Sequence, residues 1–346
     1  SERTRLHADL GKALRARFGF RTEKCSVPSR PPYPLRAAME SQKNYKSFWN
    51  DKASTPASAF VAVDGSTNEE TARLTGTYSG HQVSAALDLK ATDRVLELGC
   101  GVGRIGREIA PRVAHWEGTD ISSNMIEVAR ERLKDHTNVG FTELNRSSLQ
   151  PLADASFDKA YCVAVFIHMD KEDFFLYLED MARVLKPGGL VYFDTWNMAS
   201  PVGWRRYALE IDQHRHADHS KRKDVARNQF SSPEEVRVFL DRAGFDLLLM
   251  QSDSPWVQAV GVRRGGDVDV AALRVRTQSV AARIAYSPLW TEMFDGLLDV
   301  ATGKVAPEVM WKVLADDARG EEIPMFREWF RGMWKGNEAN WGPAPR

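Results

Sequence analysis

From residue 93 onward the chain alternates short apolar runs with amphipathic stretches, and this alternation is its clearest structural signal. The runs at 94–98, 115–119, 139–144, 159–163 and 190–194 read as strands. The stretches at 104–110, 123–133 and 171–185 repeat apolar residues at helical spacing. Strand–helix alternation of this kind predicts an α/β fold with a doubly wound, mostly parallel sheet, whose ligands lie at the carboxyl ends of its strands. Two closing strands are expected at 245–250 and 256–262. The helix before them opens with the capping box Ser232-Pro233-Glu234-Glu235 and ends at Gly244.

Outside that block the pattern changes. Leu6, Leu10, Ala13 and Leu14 form one helical stripe in a basic arm at 1–36, which carries nine Lys/Arg against three acids. Pro28, Pro31, Pro32 and Pro34 read as a linker. A helix is expected over 35–49, then a loop to about residue 66, then a helical stretch at 68–90 broken near Gly76 and Gly80. Residues 200–230 form a polar insert rich in His, Arg and Lys. Beyond 265 the chain reads as a helical extension in which Leu289, Trp290, Met293, Phe294, Leu297 and Leu298 share a face. The extension also holds five of the ten tryptophans, which suit a core, a subunit interface or an acceptor wall. The organisation expected is an arm, linker and covering helix at 1–66, a catalytic domain at 67–264, and the Trp-rich extension at 265–346.

Composition narrows the function classes. Lys and Arg number 47, Asp and Glu also 47, so bulk charge does not hold nucleic acid or an anionic membrane. The longest unbroken apolar run, 160–167, is too short to span a bilayer. Cys25, Cys100 and Cys162 are an odd, widely spaced set and do not read as a disulfide framework or a zinc site. A cytoplasmic setting is the expectation. His214, His216 and His219 lie among cations and are read as surface, so no metal is expected.

The chemistry concentrates after the first strand. Glu97-Leu98-Gly99-Cys100-Gly101-Val102-Gly103 places three alternate glycines where strand turns into helix, so the backbone can turn sharply and touch a bulky ligand. The same stretch contains G-x-G-x-x-G with Asp120 nineteen residues on, and taken alone it also suits a dinucleotide. Glu97 argues against pyrophosphate, which its charge would repel. With Gly118-Thr119-Asp120-Ile121-Ser122, Ser156-Phe157-Asp158 and Leu185-Lys186-Pro187-Gly188-Gly189 following in order, the chain resembles the class I S-adenosylmethionine-dependent methyltransferases of the small-molecule type, with their single Rossmann-like domain. The resemblance covers roughly 93–262.

That resemblance implies S-adenosylmethionine as cofactor and S-adenosylhomocysteine as product. It places Glu97, Gly99, Cys100, Gly101 and Gly103 under the methionine portion and Asp120 on the ribose hydroxyls. Ile121 and Met125 would flank the adenine, with Asn145 and Arg146 near it. Asn145 stands where relatives commonly have Asp, and its carbonyl can still accept from the adenine amine. Val163 opens the segment lining the sulfonium. His168 borders the acceptor and is the candidate base. Trp196, Asn197, Tyr45, Trp49 and Tyr78 fall where an acceptor or a cover would touch. The expected partner is a small molecule, and the insert's Arg and His suit an anionic one. Nucleic acid is not expected, and a homodimer is possible. An NAD(P)-dependent oxidoreductase and a non-catalytic cofactor-binding protein remain the alternatives.

Overall fold

The computed structural model describes residues 45–346 apart from Lys223, Ala226 and Arg346, and the described residues belong to one compact unit. The basic arm, the proline linker, Cys25 and the first ten residues of the helix expected over 35–49 lie outside the described residues. In chain order come α1 (Tyr45–Lys52), α2 (Pro56–Asp64), α3 (Glu69–Leu87), β1 (Arg94–Leu98), β2 (His115–Asp120), α4 (Ser123–Arg132), β3 (Val139–Glu143) and β4 (Phe157–Cys162). Then follow α5 (Lys171–Val184), β5 (Leu185–Asn197), α6 (Pro201–His214), β6 (Phe230–Ser231), α7 (Pro233–Ala243), β7 (Phe245–Gln251) and β8 (Trp256–Arg263). The chain closes with α8 (Val270–Ser279), α9 (Pro288–Ala301), α10 (Pro307–Leu314) and α11 (Ile323–Gly336).

The strands form one sheet in the order β3-β2-β1-β4-β5-β8-β7, with β6 pairing the end of β5. The pairs from β3 to β5 are parallel, and β8 runs antiparallel to both β5 and β7. The fold is therefore the expected doubly wound α/β sheet with one reversed strand. Side chains divide by strand parity, as a two-sided sheet requires. Leu96, Leu98, Ala160, Cys162, Val191 and Phe193 pack under α5 and α7. Val95, Tyr161, Leu190, Tyr192, Val260 and Val262 face α3 and Ile284 on the other side.

Two expectations require correction. The segment read as a loop before residue 66 contains α2, because Thr55 and Ser58 form a reciprocal capping box, Pro56 starts the helix and Gly65 ends it at φ 79°. Helix α3 runs unbroken through Gly76 and Gly80, which face Arg104 and Glu108 at close range. The polar insert, whose secondary structure the sequence left open, begins with α6, capped by Ser200, and ends in β6.

Strand order reverses between β1 and β4, both neighbours of which lie on opposite sides. Their carboxyl ends therefore splay apart and leave a crevice between the loops that follow them. Helices α1 and α2 cross this end of the sheet against α4. Asn50 Oδ1 accepts from Ser122 Oγ at 2.8 Å, and Lys46 Nζ bridges Glu143 and Asn145 Oδ1, the latter at 2.8 Å.

Candidate active site

The crevice at the β1/β4 switch point, together with the open space at its mouth, spans about 750 Å³. One wall is the turn after β1. Gly99 and Gly101 adopt φ of 70° and 51°, in the left-handed region that side chains resist. A Cβ on Gly99 would meet Val165 Cγ2 at 2.4 Å, and one on Gly101 would meet Val63 Cγ2 at 2.7 Å. The glycines thus allow α2 and the post-β4 segment to close directly over bare backbone. Gly103 also has positive φ, but a Cβ there would press on Leu133 and Ala129 beneath α4, away from the crevice.

Asp120 ends β2 and faces the same space. Gly101 N–H donates to its Oδ2 at 2.9 Å and Ser122 N–H to its Oδ1 at 2.8 Å. Each oxygen keeps a lone pair for a further donor. Burial pushes its carboxyl up to about 6 despite those bonds. Ile121, Met125 and Leu144 provide an apolar slot beside it. A carboxylate for two hydroxyls, an apolar slot for a planar ring and exposed backbone between them fit the cofactor implied by the sequence.

The opposite wall is the segment after β4. Val163, Ala164 and Val165 line it, followed by His168 at the end of a single 3₁₀ turn. Ala164 sits at φ 59°, a conformation that costs a non-glycine residue about 1–2 kcal/mol. His168 Nδ1 is buried without a hydrogen-bond partner, and the Trp49 ring meets the imidazole edge-on at 4.9 Å. Burial pushes the imidazole down to about 4, so it is neutral at physiological pH. Tyr45 closes the roof, its hydroxyl accepting from Asp170 N–H at 3.2 Å, and Tyr177 rises from α5.

Of the residues expected at the site, Gly99, Gly101, Asp120, Ile121, Met125, Val163, His168, Tyr45 and Trp49 converge on this crevice. The others lie elsewhere. Glu97 is wholly buried behind the turn, where Tyr161 OH donates to its Oε2 at 2.6 Å and Trp116 Nε1 donates to that hydroxyl at 3.0 Å; desolvation pushes the Glu97 carboxyl up to about 8. Cys100 is buried and its thiol pushed up by desolvation, which leaves it unreactive. Asn145 accepts from Lys46, and Arg146 turns to Gln150. Trp196 stacks on Trp256 at 4.8 Å, Asn197 donates to the Ser252 and Ser254 carbonyls, and Tyr78 stacks on Tyr286 at 6.3 Å.

Sequence reasoning missed the part of α2, since Ala62 and Val63 were assigned to a loop; the Thr55–Ser58 capping box was the available signal. The insert reaches the His168 side without lining the crevice: Gln229 N–H donates to Ile167 O at 2.7 Å. Its Arg205, Arg206, Arg215 and Arg227 each pair with a carboxylate. Among the described residues no cation lines the crevice and no His/Cys/Asp/Glu group is arranged to hold a metal.

A family model described as a methyltransferase domain matches residues 95–189. Methyltransferase GfsG of Streptomyces halstedii is 33% identical over 159 residues, covering 45% of this chain and 51% of that protein. The ubiquinone biosynthesis O-methyltransferase of Hahella chejuensis is 30% identical over 187 residues, covering 51% of this chain and 73% of that enzyme. Against the first of the curated relatives, the chain spans about half of their length. Among solved structures, an S-adenosylmethionine-dependent methyltransferase from Mesorhizobium loti superposes with a TM-score of 0.45 at 17% identity, over 55% of this chain and all of that one.

Proposed function

The chain belongs to the class I S-adenosylmethionine-dependent methyltransferases, and from that premise we propose that it methylates a hydroxyl group of an uncharged small molecule. The observation that carries this reading is the crevice itself, in which Asp120 and the bare glycine backbone share one cavity with the imidazole of His168. When bound, S-adenosylmethionine supplies a methyl carbon on a cationic sulfur; the acceptor oxygen bonds to that carbon while the electron pair of the broken carbon–sulfur bond stays on sulfur.

The protein's share is alignment and exclusion of water, which are worth several kcal/mol, up to about 7–11 for ideal orientation. Asp120 accepts from the ribose hydroxyls in this reading, and Ile121 and Met125 hold the adenine. The neutral His168 imidazole accepts the hydrogen bond of the acceptor hydroxyl and takes its proton as the oxygen–carbon bond forms. An imidazole titrating near 4 is a weak base, so its transfer accompanies bond formation rather than preceding it. The neutral acceptor follows from a lining whose only ionised side chain, among the described residues, is Asp120. The relatives named O-methyltransferases support oxygen as the nucleophile.

Titration calorimetry with S-adenosylhomocysteine should give micromolar or tighter binding, about 8 kcal/mol, with NADH as the competing candidate. A panel of neutral and anionic hydroxy compounds with methyl-tritiated S-adenosylmethionine then reads the acceptor. His168→Ala should cut kcat about 10²-fold or more on any acceptor found and leave S-adenosylhomocysteine affinity near wild type. Absence of cofactor binding overturns the reading, and turnover confined to anionic acceptors overturns the neutral class.

A further inference from the structure

We infer that Asp194 is a positioning residue for methyl transfer, acting through the backbone of Ala164, and that Tyr286 of the C-terminal segment fixes Asp194 in turn. The inference rests on the methyltransferase reading above. Neither Asp194 nor Tyr286 lines the crevice, and both lie beyond the 95–189 stretch matched by the family model.

Ala164 is where crevice and device meet. Of the described non-glycine residues with positive φ, Asp88, Ala155 and Ala164, it alone lines the crevice. Its N–H donates to Asp194 Oδ1 at 2.6 Å. Asp194 is fully buried on β5, and its Oδ2 accepts from Tyr286 OH at 2.6 Å. One carboxylate thus spans a strained wall residue and a phenol that enters from more than ninety residues away in sequence.

The phenol is itself held from several sides. Tyr286 N–H donates to Gln258 Oε1 at 3.1 Å, and its ring lies 4.6 Å from that of Trp256 and 4.9 Å from that of Trp290. A left-handed alanine relaxes to an ordinary conformation when nothing opposes it. The Asp194 bond opposes it here, and relaxation would swing the 163–165 backbone that forms the wall next to His168. The carboxylate therefore sets the space available to the transferring methyl while the glycine turn and Asp120 on the other wall are untouched.

The test uses the full chain, wild type, Tyr286→Phe and Asp194→Asn, with S-adenosylmethionine carrying a ¹³C-labelled methyl. Tyr286→Phe removes one hydroxyl and keeps the stacked ring. Both variants should bind S-adenosylhomocysteine within about threefold of wild type, because the affinity-bearing wall is intact. The bound ¹³C-methyl resonance should move in both variants, further in Asp194→Asn. On any acceptor used by wild type, kcat should fall about tenfold or more with KM for S-adenosylmethionine unchanged, since small misplacement costs rate rather than binding. Bound-methyl resonances that superimpose on wild type in the folded variants overturn the inference. If Asp194→Asn does not fold, Tyr286→Phe decides alone. A wild-type chain that binds no S-adenosylmethionine overturns the methyltransferase reading first, a result distinct from bound but unshifted methyl signals.

Discussion

Glu97 lies one residue before the end of β1 with its carboxyl in a wholly buried chain of hydrogen bonds from Trp116 through Tyr161, and desolvation dominates its titration. Its folded pKa, about 8, lies above the unfolded value of 4.5. The stability it contributes is therefore fully present below about pH 4.5 and is lost as pH rises toward 8, at about 1.4 kcal/mol per pH unit for one group across that window. Glu97→Gln keeps an oxygen for Tyr161 OH and removes the titration. Its urea midpoint should fall less than that of wild type between pH 5 and 8, with an unchanged m value; parallel curves would remove Glu97 as the source. The acid itself was legible from its place in E-L-G-C-G-V-G. Its partners were not, because Tyr161 lies 64 residues away and only strand pairing brings β4 beside β1. The same holds for Asp120 and Asp194. A motif announces the first, while the second reaches the site only through a backbone N–H, and no sequence pattern marks that.

At the scale of elements, α3 shows why a local reading fails where packing takes over. Two glycines within a helix each cost about 1 kcal/mol relative to alanine, so the sequence reads as a break at 76 and 80. In the fold those positions let α3 press against the 104–108 segment that follows the glycine turn: a Cβ on Gly76 would meet the Arg104 carbonyl oxygen at 2.5 Å, and one on Gly80 would meet Glu108 Cβ at 2.8 Å. Both obstacles are backbone or stem atoms, which cannot swing aside. Gly76→Ala should therefore destabilise by about 1–3 kcal/mol in spite of its better helix propensity. Gly336→Ala, where an added Cβ would meet no other part of the protein within 4 Å, should be neutral or stabilise by up to about 1 kcal/mol. Thermal unfolding of the two variants beside wild type separates propensity from packing, and equal shifts would refute the close approach. Most strands are legible to within a residue or two because strands buried on both faces leave short apolar runs in the sequence, but β5 starts at Leu185 rather than 190 and β6 leaves no such run; α2 leaves too short a period in its nine residues, and only its cap betrays it.

Across the whole molecule, the region beyond 265 is bonded into the catalytic body at widely separated points. The Ile284 carbonyl accepts from the Gln82 and Gln258 amides at 2.9 and 2.7 Å, and Arg276 donates to the Ala85 and Ala86 carbonyls. Trp329 Nε1 donates to Asp64 O at 2.6 Å, Tyr286 holds Asp194, and Arg205 of α6 pairs with Asp295 and Asp299 of α9. Leu74 and Tyr78 of α3 pack into the apolar cluster of α9, α10 and α11, and the rings of Trp290 and Phe294 cover Trp256. The tryptophans foreseen as core, interface or acceptor wall thus include a set that roofs the end of the sheet. Removing residues 268–346 would leave the Gln82 and Gln258 amides and the Asp194 carboxylate short of partners in surroundings that had been buried. Water reaching these groups offsets part of that loss, so the larger cost is the apolar surface laid bare at Leu74, Tyr78 and Trp256, about 1.5–3 kcal/mol for each large side chain fully exposed. Set against a total stability of about 5–15 kcal/mol for a typical domain, that sum is enough to unfold the remainder. A chain ending at Asp267 should accordingly be insoluble or bind a hydrophobic dye strongly, with no cooperative thermal transition. A soluble, monodisperse 1–267 chain that binds S-adenosylhomocysteine within about threefold of the full chain would instead show that the body folds alone, and would confine the C-terminal segment to tuning the crevice wall through Tyr286.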